Sequence, residues 1–311
     1  MRFHLITNCT NSKNSKASNK FYFSDFKNNK NVVSSWLNAL NNGKAGIKAI
    51  DMYVGDHWAN VRKIYDLGIP VSIVSAGYGL LSSERLIHSY DATFSPRSEN
   101  SVGQIFESNY LAERNIKWWE SINKSLLGLP PLRSLINENS TAFFIIALAP
   151  DYLKVIEPEL IELIASNKVN RQNTIIISRE AKIHDSLKEM FYRNSEDFCD
   201  ALGGNRVSLN IRLARYLLDQ ADKSTDVVEH ISKRYEKLLL EAKPAKKYKR
   251  KKLSDDEIIE FIQRELKDSK GLTPSASGFL RSLRNKGLAC EQKRFGSIYR
   301  SVLCKGVVET L

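Results

Sequence analysis

Four short, uninterrupted apolar runs constrain this chain more than any other feature. They are FHLIT (Phe3–Thr7), VSIVSA from Val71, AFFIIALA from Ala142 and NTIIIS from Asn173. A strand with one wet face alternates apolar and polar residues. A continuous run of strand length reads as a strand covered on both faces, the habit of parallel sheets. The stretches between the runs carry helical spacing. NVVSSWLNALNNG predicts a helix closed by Gly43, and GDHWANVRKIYDLGIP one that starts at an Asp56 cap and stops at Gly68 before Pro70. NYLAERNIKWWESINKSLL, PELIELIAS and SLNIRLARYLLDQ predict three more. Strands alternating with helices predict a three-layer α/β/α domain around a mostly parallel sheet, over residues 1–240.

The remaining residues differ in kind. Net charge is +12 over 311 residues, and Lys243 to Leu311 holds 17 Lys plus Arg against 8 Asp plus Glu, or +9 of that excess. EAKPAKKYKRKKLSDDE has no apolar face to bury and reads as a basic linker over 241–253. Beyond it, LSDDEIIEFIQRELKDSKG has a Ser254 cap and acids in its first turn. TPSASGFLRSLRNKG opens on a Thr-Pro cap, and CEQKRFGSIYRSVLCKG follows. Three short helices with glycine stops predict a small basic all-α, helix-turn-helix-like domain over 254–311. Lys249, Arg250, Arg281, Arg284, Lys293, Arg294 and Arg300 are its expected DNA contacts, together with Lys13 of the first domain, since cations displace counterions from phosphates.

No apolar run reaches the ~18–20 residues of a membrane span, and no export signal opens the chain, so a cytoplasmic protein without a membrane partner is expected. The four cysteines, Cys9, Cys199, Cys290 and Cys304, form no C-x-x-C pair and have no histidine cluster near them. Neither a metal site nor a cofactor is expected.

In parallel sheets, ligands bind beyond the carboxyl ends of the strands. Three such ends are polar here. Asn8-Cys9-Thr10, with Lys13 behind it, offers an amide, a thiol, a hydroxyl and an ammonium. The competing reading is a polar loop over a buried cysteine. A Cys9 nucleophile would need a base in space, and the nearby His4 lies inside the strand and reads as core. Ser75-Ala76-Gly77-Tyr78-Gly79 lets backbone approach a ligand closely and places Tyr78 to stack on a base, or else is a tight turn with a packed tyrosine. It is not a P-loop. Tyr90-Asp91-Ala92-Thr93 presents a carboxylate, which either caps a turn or stabilises developing positive charge, as glycosidic cleavage requires. Asp151-Tyr152 is a helix N-cap or a pocket contact, Arg179-Glu180 is equally ambiguous, and of Trp118 and Trp119 one is expected in the core and one at the surface.

The ordered set TNCTNSK, SAGYGLL and SYDATF resembles a family of bacterial and phage proteins that is distantly similar to YaaA-type DNA-binding proteins and to the uracil-DNA-glycosylase-like α/β fold. The resemblance covers roughly residues 1–220, and the tail SASGFLRSLRNKGLACEQKRF resembles a helical module that accompanies such domains. Anti-phage DNA glycosylases of this general kind excise α-glucosylated hydroxymethylcytosine and leave abasic sites. The resemblance implies Asp91 as the catalytic carboxylate and Asn8, Ser75 and Tyr78, with Cys9, Gly77 and Tyr90 beside them, as the substrate pocket. The chain lacks the G-Q-D-P-Y and H-P-S-P motifs of uracil glycosylases, which argues against uracil. The expected activity is therefore a DNA N-glycosylase that flips a modified cytosine into the pocket at the strand ends. Two rivals remain: a base-exchange or deazapurine-modifying enzyme of DNA or tRNA, which would need a free base as cosubstrate, and a non-enzymatic DNA-binding stress or regulatory protein.

Overall fold

The computed structural model describes residues 2–14, 20–42, 46–128, 130–179, 182–244, 250–268 and 275–308. The chain divides into two compact units, Met1–Ala245 and Lys246–Leu311, at a point inside the basic stretch 241–253.

The first unit is built on six strands: β1 (Arg2–Asn8), β2 (Val71–Ser75), β3 (Gly79–Ser82), β4 (Ala142–Ala147), β5 (Thr174–Ser178) and β6 (Phe191–Arg193). Their order is β6-β5-β4-β1-β2-β3. Every pair is parallel except β2 with β3. The four apolar runs are the central strands, and every residue of β2, β4 and β5 is buried. Leu5 pairs with both Val71 and Ile145, and Ile145 with Ile175, so the carboxyl ends of β1, β2, β4 and β5 lie side by side.

Seven longer helices accompany the sheet: α1 (Val32–Asn41), α2 (Asp56–Tyr65), α3 (Leu111–Leu127), α4 (Pro131–Glu138), α5 (Pro150–Ala165), α6 (Leu209–Leu218) and α7 (Val227–Glu241). α3 packs against α1 and α5, while α2 and α7 pack against α6. The fold class is thus α/β with a mostly parallel central sheet flanked by helices. Three local expectations change. Asp56 is the first helical residue rather than the cap, which is Gly55 at φ 94°. The helix read from PELIELIAS begins at Pro150, with Pro at its first position and Pro158 accommodated inside it. Trp118 and Trp119 are both buried, at 0% and 3% exposure.

The second unit holds α8 (Asp255–Asp268), α9 (Ala276–Asn285) and α10 (Gln292–Val308) around Ile258, Ile262, Phe279, Leu283 and Phe295. α8 starts with a reciprocal capping box: the Glu257 amide donates to Ser254 Oγ at 3.2 Å and the Ser254 amide to the Glu257 carboxylate at 2.8 Å. α9 is capped by Ser275, whose Oγ accepts from the Gly278 amide at 3.2 Å; the expected Thr-Pro cap, Thr273-Pro274, lies outside the described residues. A two-residue parallel ladder between Lys251–Lys252 and Leu288–Ala289 is added to the helices. Among the described residues no helix is long and apolar enough to cross a membrane.

Candidate active site

The carboxyl ends of β1, β2 and β4 gather the residues that carry chemistry. Asn8 ends β1 as a structural clamp. Its Nδ2 donates to the Cys9 carbonyl at 2.9 Å and its Oδ1 accepts from the Ala149 amide at 2.9 Å, joining the loop after β1 to the start of α5. Both ends of the amide are therefore anchored within the fold, which fixes its orientation and leaves one N–H and one lone pair.

The SAGYG stretch is a three-residue hairpin loop joining β2 to β3, with Gly79 at φ 68° where the chain must enter the left-handed region. It is buried and fully tied. Ser75 Oγ accepts from the amides of Gly77 (3.2 Å) and Tyr78 (3.0 Å). The indoles of Trp118 and Trp36 donate to the Ala76 and Gly77 carbonyls, each at 2.7 Å. The close approach that Gly77 permits is to the Tyr90 ring rather than to a ligand: a Cβ there would lie 2.5 Å from Cδ2 and Cε2 of Tyr90. Tyr78 is likewise not a free stacking platform. It is 2% exposed, its hydroxyl accepts from the His88 amide at 2.9 Å, and burial pushes its pKa up to about 12.

What this turn positions is a hydroxyl chain. With two amides already accepted, Ser75 has its proton left to give, and it lies 2.7 Å from Tyr90 Oη. Tyr90 Oη in turn is 2.8 Å from Tyr53 Oη, and both rings are fully buried. Burial raises both phenols well above their ordinary range, so they stay protonated. Cys9, 3% exposed, sits beside them, with Sγ 3.2 Å from Tyr152 Oη. Tyr152 is the pocket-facing member of the Asp151-Tyr152 pair, since α5 begins at Pro150 and its first turn carries that ring toward β1. His4 lies at the other half of β1, about 16 Å along the strand from Cys9, bonded through Nε2 to Ser72 Oγ at 2.9 Å. It is a core residue and no base for Cys9.

Above this floor sit the charges. Lys13 Nζ lies 4.2 Å from the centre of the Tyr90 ring and donates to the Thr10 carbonyl at 3.1 Å. Burial lowers its pKa, against the pull of Cys9 and Asp91. Asp91 closes the short strand Ser89–Asp91, which pairs with Lys20–Tyr22. Its carboxylate is 30% exposed and 3.4 Å from Lys20 Nζ. The structure thus brings Cys9, Ser75, Tyr90, Lys13 and Asp91 to one edge of the sheet. Of the Asp151-Tyr152 alternatives it makes Tyr152 the pocket contact, and it adds Tyr53 and Lys20, for which no local pattern spoke.

In the second unit, Arg250, Arg281 and Arg284 line one shallow cavity of about 320 Å³ with Ser277, Asn285 and Gln292. Arg300 lines a second, of about 480 Å³, which shares Ser277, Leu280 and Gln292 with the first. Arg294 is already engaged: its guanidinium binds the Asp255 carboxylate and the Leu253 carbonyl. That ion pair turns it toward α8, with the Arg294 side chain left 42% exposed. Lys249 and the Lys293 side chain lie outside the described residues. Comparison of the chain with protein-family models, with curated proteins and with solved structures finds no match.

Proposed function

We propose that the first unit is a DNA N-glycosylase that removes a modified cytosine, with glucosylated hydroxymethylcytosine as the expected base, in defence against phages whose DNA carries it. The observation that carries the reading is the position of Asp91: a half-buried carboxylate at the carboxyl edge of the sheet, flanked by Lys13 and Lys20 over a closed aromatic floor. Cleavage of an N-glycosidic bond builds positive charge on the sugar, and a fixed carboxylate stabilises it. Lys20 is exposed on a flexible stem. As the glycosidic bond breaks, the oxocarbenium-like sugar replaces Lys20 as the counter-charge of Asp91, water adds to the sugar carbon, its proton passes to the departing base, and the Lys20 ammonium turns toward a flanking phosphate. The target nucleotide reaches the edge by flipping out of the stack, at a cost of a few kcal/mol. Arg250, Arg281, Arg284 and Arg300 in the second unit supply sequence-independent affinity for the backbone.

Asp91→Asn tests this assignment. The substitution keeps shape and removes charge, and the carboxylate makes a single partly exposed ion pair, so the fold is expected to survive. Base release is expected to fall about 100-fold or more, with affinity for duplex DNA changed by about twofold at most. Undiminished release from the variant would remove Asp91 from the mechanism.

A further inference from the structure

A second site lies at the opposite edge of the sheet. A cavity of about 1130 Å³ opens where the strands begin, against Arg2, Phe3 and His4 of β1, Ala142 of β4 and the Ile69-Pro70 step that leads into β2. β1 runs from Arg2 to Asn8, so this cavity is about 20 Å from Asp91 and its neighbours.

Its walls are strongly cationic. Arg2, Lys63, Arg212, Arg215, Lys223 and Arg234 line it, against the carboxylates of Glu138 and Asp219. Two of the six are neutralised within the fold: Arg212 by Asp56 at 2.5 Å and Arg234 by Asp219 at 3.2 Å. Among the described residues, Arg2, Lys63, Arg215 and Lys223 have no carboxylate partner. Arg215 is the telling one. It is half-buried, its Nη1 donates to Asn60 Oδ1 at 2.6 Å, and that amide aims the guanidinium without compensating its charge. Burying part of an uncompensated cation is costly, and an anion is the group that offsets it. The same cavity carries an apolar strip at Leu67, Ile69 and Pro70, and Leu67 is left 73% exposed.

Unpaired cations beside an apolar strip in one concave site match a ligand that is apolar at one end and polyanionic at the other. We propose that this cleft binds a nucleoside di- or triphosphate, with the phosphates on Arg2, Lys63, Arg215 and Lys223 and the base against Leu67 and Pro70. Its distance from Asp91 sets it apart from the candidate active site, and the inference stands independently of the glycosylase reading.

The test is calorimetric titration of the full chain with ADP, with inorganic pyrophosphate and with adenosine. ADP is expected to bind saturably with a Kd below about 1 mM, and more tightly than either fragment. Lys63→Glu and Lys223→Glu, at exposed positions without partners, are expected to weaken ADP about tenfold each, while Arg281→Glu in the second unit leaves it unchanged. Absence of saturable ADP binding overturns the proposal. So does an equal loss from Arg281→Glu, which would mean non-specific charge attraction, and so does adenosine binding as tightly as ADP. Loss of duplex-DNA affinity with ADP binding intact in the Lys63 and Lys223 variants would reassign the cleft to a nucleic-acid backbone.

Discussion

Between pH 7 and pH 4 the first unit is expected to lose about 6 kcal/mol of stability through two buried histidines. Burial lowers the pKa of both His4 and His57 to about 4, from 6.5. His57 sits behind β1, where its Nε2 is 3.0 Å from Thr7 Oγ1. Thr7 gives its own proton to the Ala147 carbonyl at 3.1 Å, so His57 Nε2 must carry the hydrogen and donate it. His4 holds Ser72 through Nε2, and its Nδ1 is buried without a partner. His4 Nδ1 has no acceptor for the extra proton of an imidazolium, and for His57 the cost of burial outweighs the favourable field of Asp56.

The sign follows from which state takes the proton first. The unfolded chain protonates near pH 6.5 and the folded chain only near pH 4. The stabilisation is therefore complete above about pH 6.5. It falls by about 1.4 kcal/mol per pH unit for each ring, or about 3 kcal/mol each by pH 4. Against a typical total of ~5–15 kcal/mol, this is enough to bring the unit close to unfolding. Asp56, held below the usual carboxylate range by the Arg212 guanidinium, extends the loss below about pH 4. Urea midpoints measured from pH 7 to pH 4.5 should drop steadily. His57→Gln, whose amide can still donate to Thr7, should remove about half of the slope. Midpoints that hold level across this range would contradict the buried neutral imidazoles.

Replacing Gly77 by alanine is expected to cost about 3 kcal/mol or more. The added Cβ would meet the Tyr90 ring at 2.5 Å, and neither side can withdraw. The ring is held through its hydroxyl by Ser75 and Tyr53, and its edges meet Trp36 and Tyr78 at centroid distances of 6.5 and 5.2 Å. The backbone is held by the Trp36 indole on the Gly77 carbonyl and by the Gly77 amide on Ser75. Gly68→Ala is the control: it carries φ 79° with nothing within 4 Å of the added carbon, and should cost about 1 kcal/mol. Equal urea midpoints for the two variants would show that the hairpin loop is not locked. Because Ser75 and Tyr90 sit in the candidate site, base release should fall with Gly77→Ala beyond what the lost stability explains.

The strands that sequence reveals are those covered on both faces. β1, β2, β4 and β5 announce themselves because burial leaves no room for alternation. The edge strands β3 and β6 are short, pair on one side and keep polar or half-exposed residues, so no apolar run marks them. Helix α7 escapes notice for a related reason. Only Val227, Ile231 and Leu238 of its fifteen residues are buried, too sparse a stripe to stand out. In the candidate site, the nearness of Cys9, Ser75, Tyr90 and Lys13 was legible from the strand ends, but what each side chain binds was not. Nothing local to Asn8 says that both ends of its amide are anchored to backbone, and nothing in SAGYG says that two distant tryptophans hold its carbonyls. Tyr53 and Lys20 reach the site through pairings fixed only by the fold.

The most direct test of the account is base release. Purified full-length protein is incubated with duplex DNA carrying α-glucosylated hydroxymethylcytosine and with the same duplex unmodified. Free base is then measured by mass spectrometry and abasic sites by alkaline cleavage. Release from the modified duplex alone, abolished in Asp91→Asn, is the predicted result. No release from either duplex, with DNA binding intact, would contradict it and leave a nucleic-acid-binding protein without glycosylase activity.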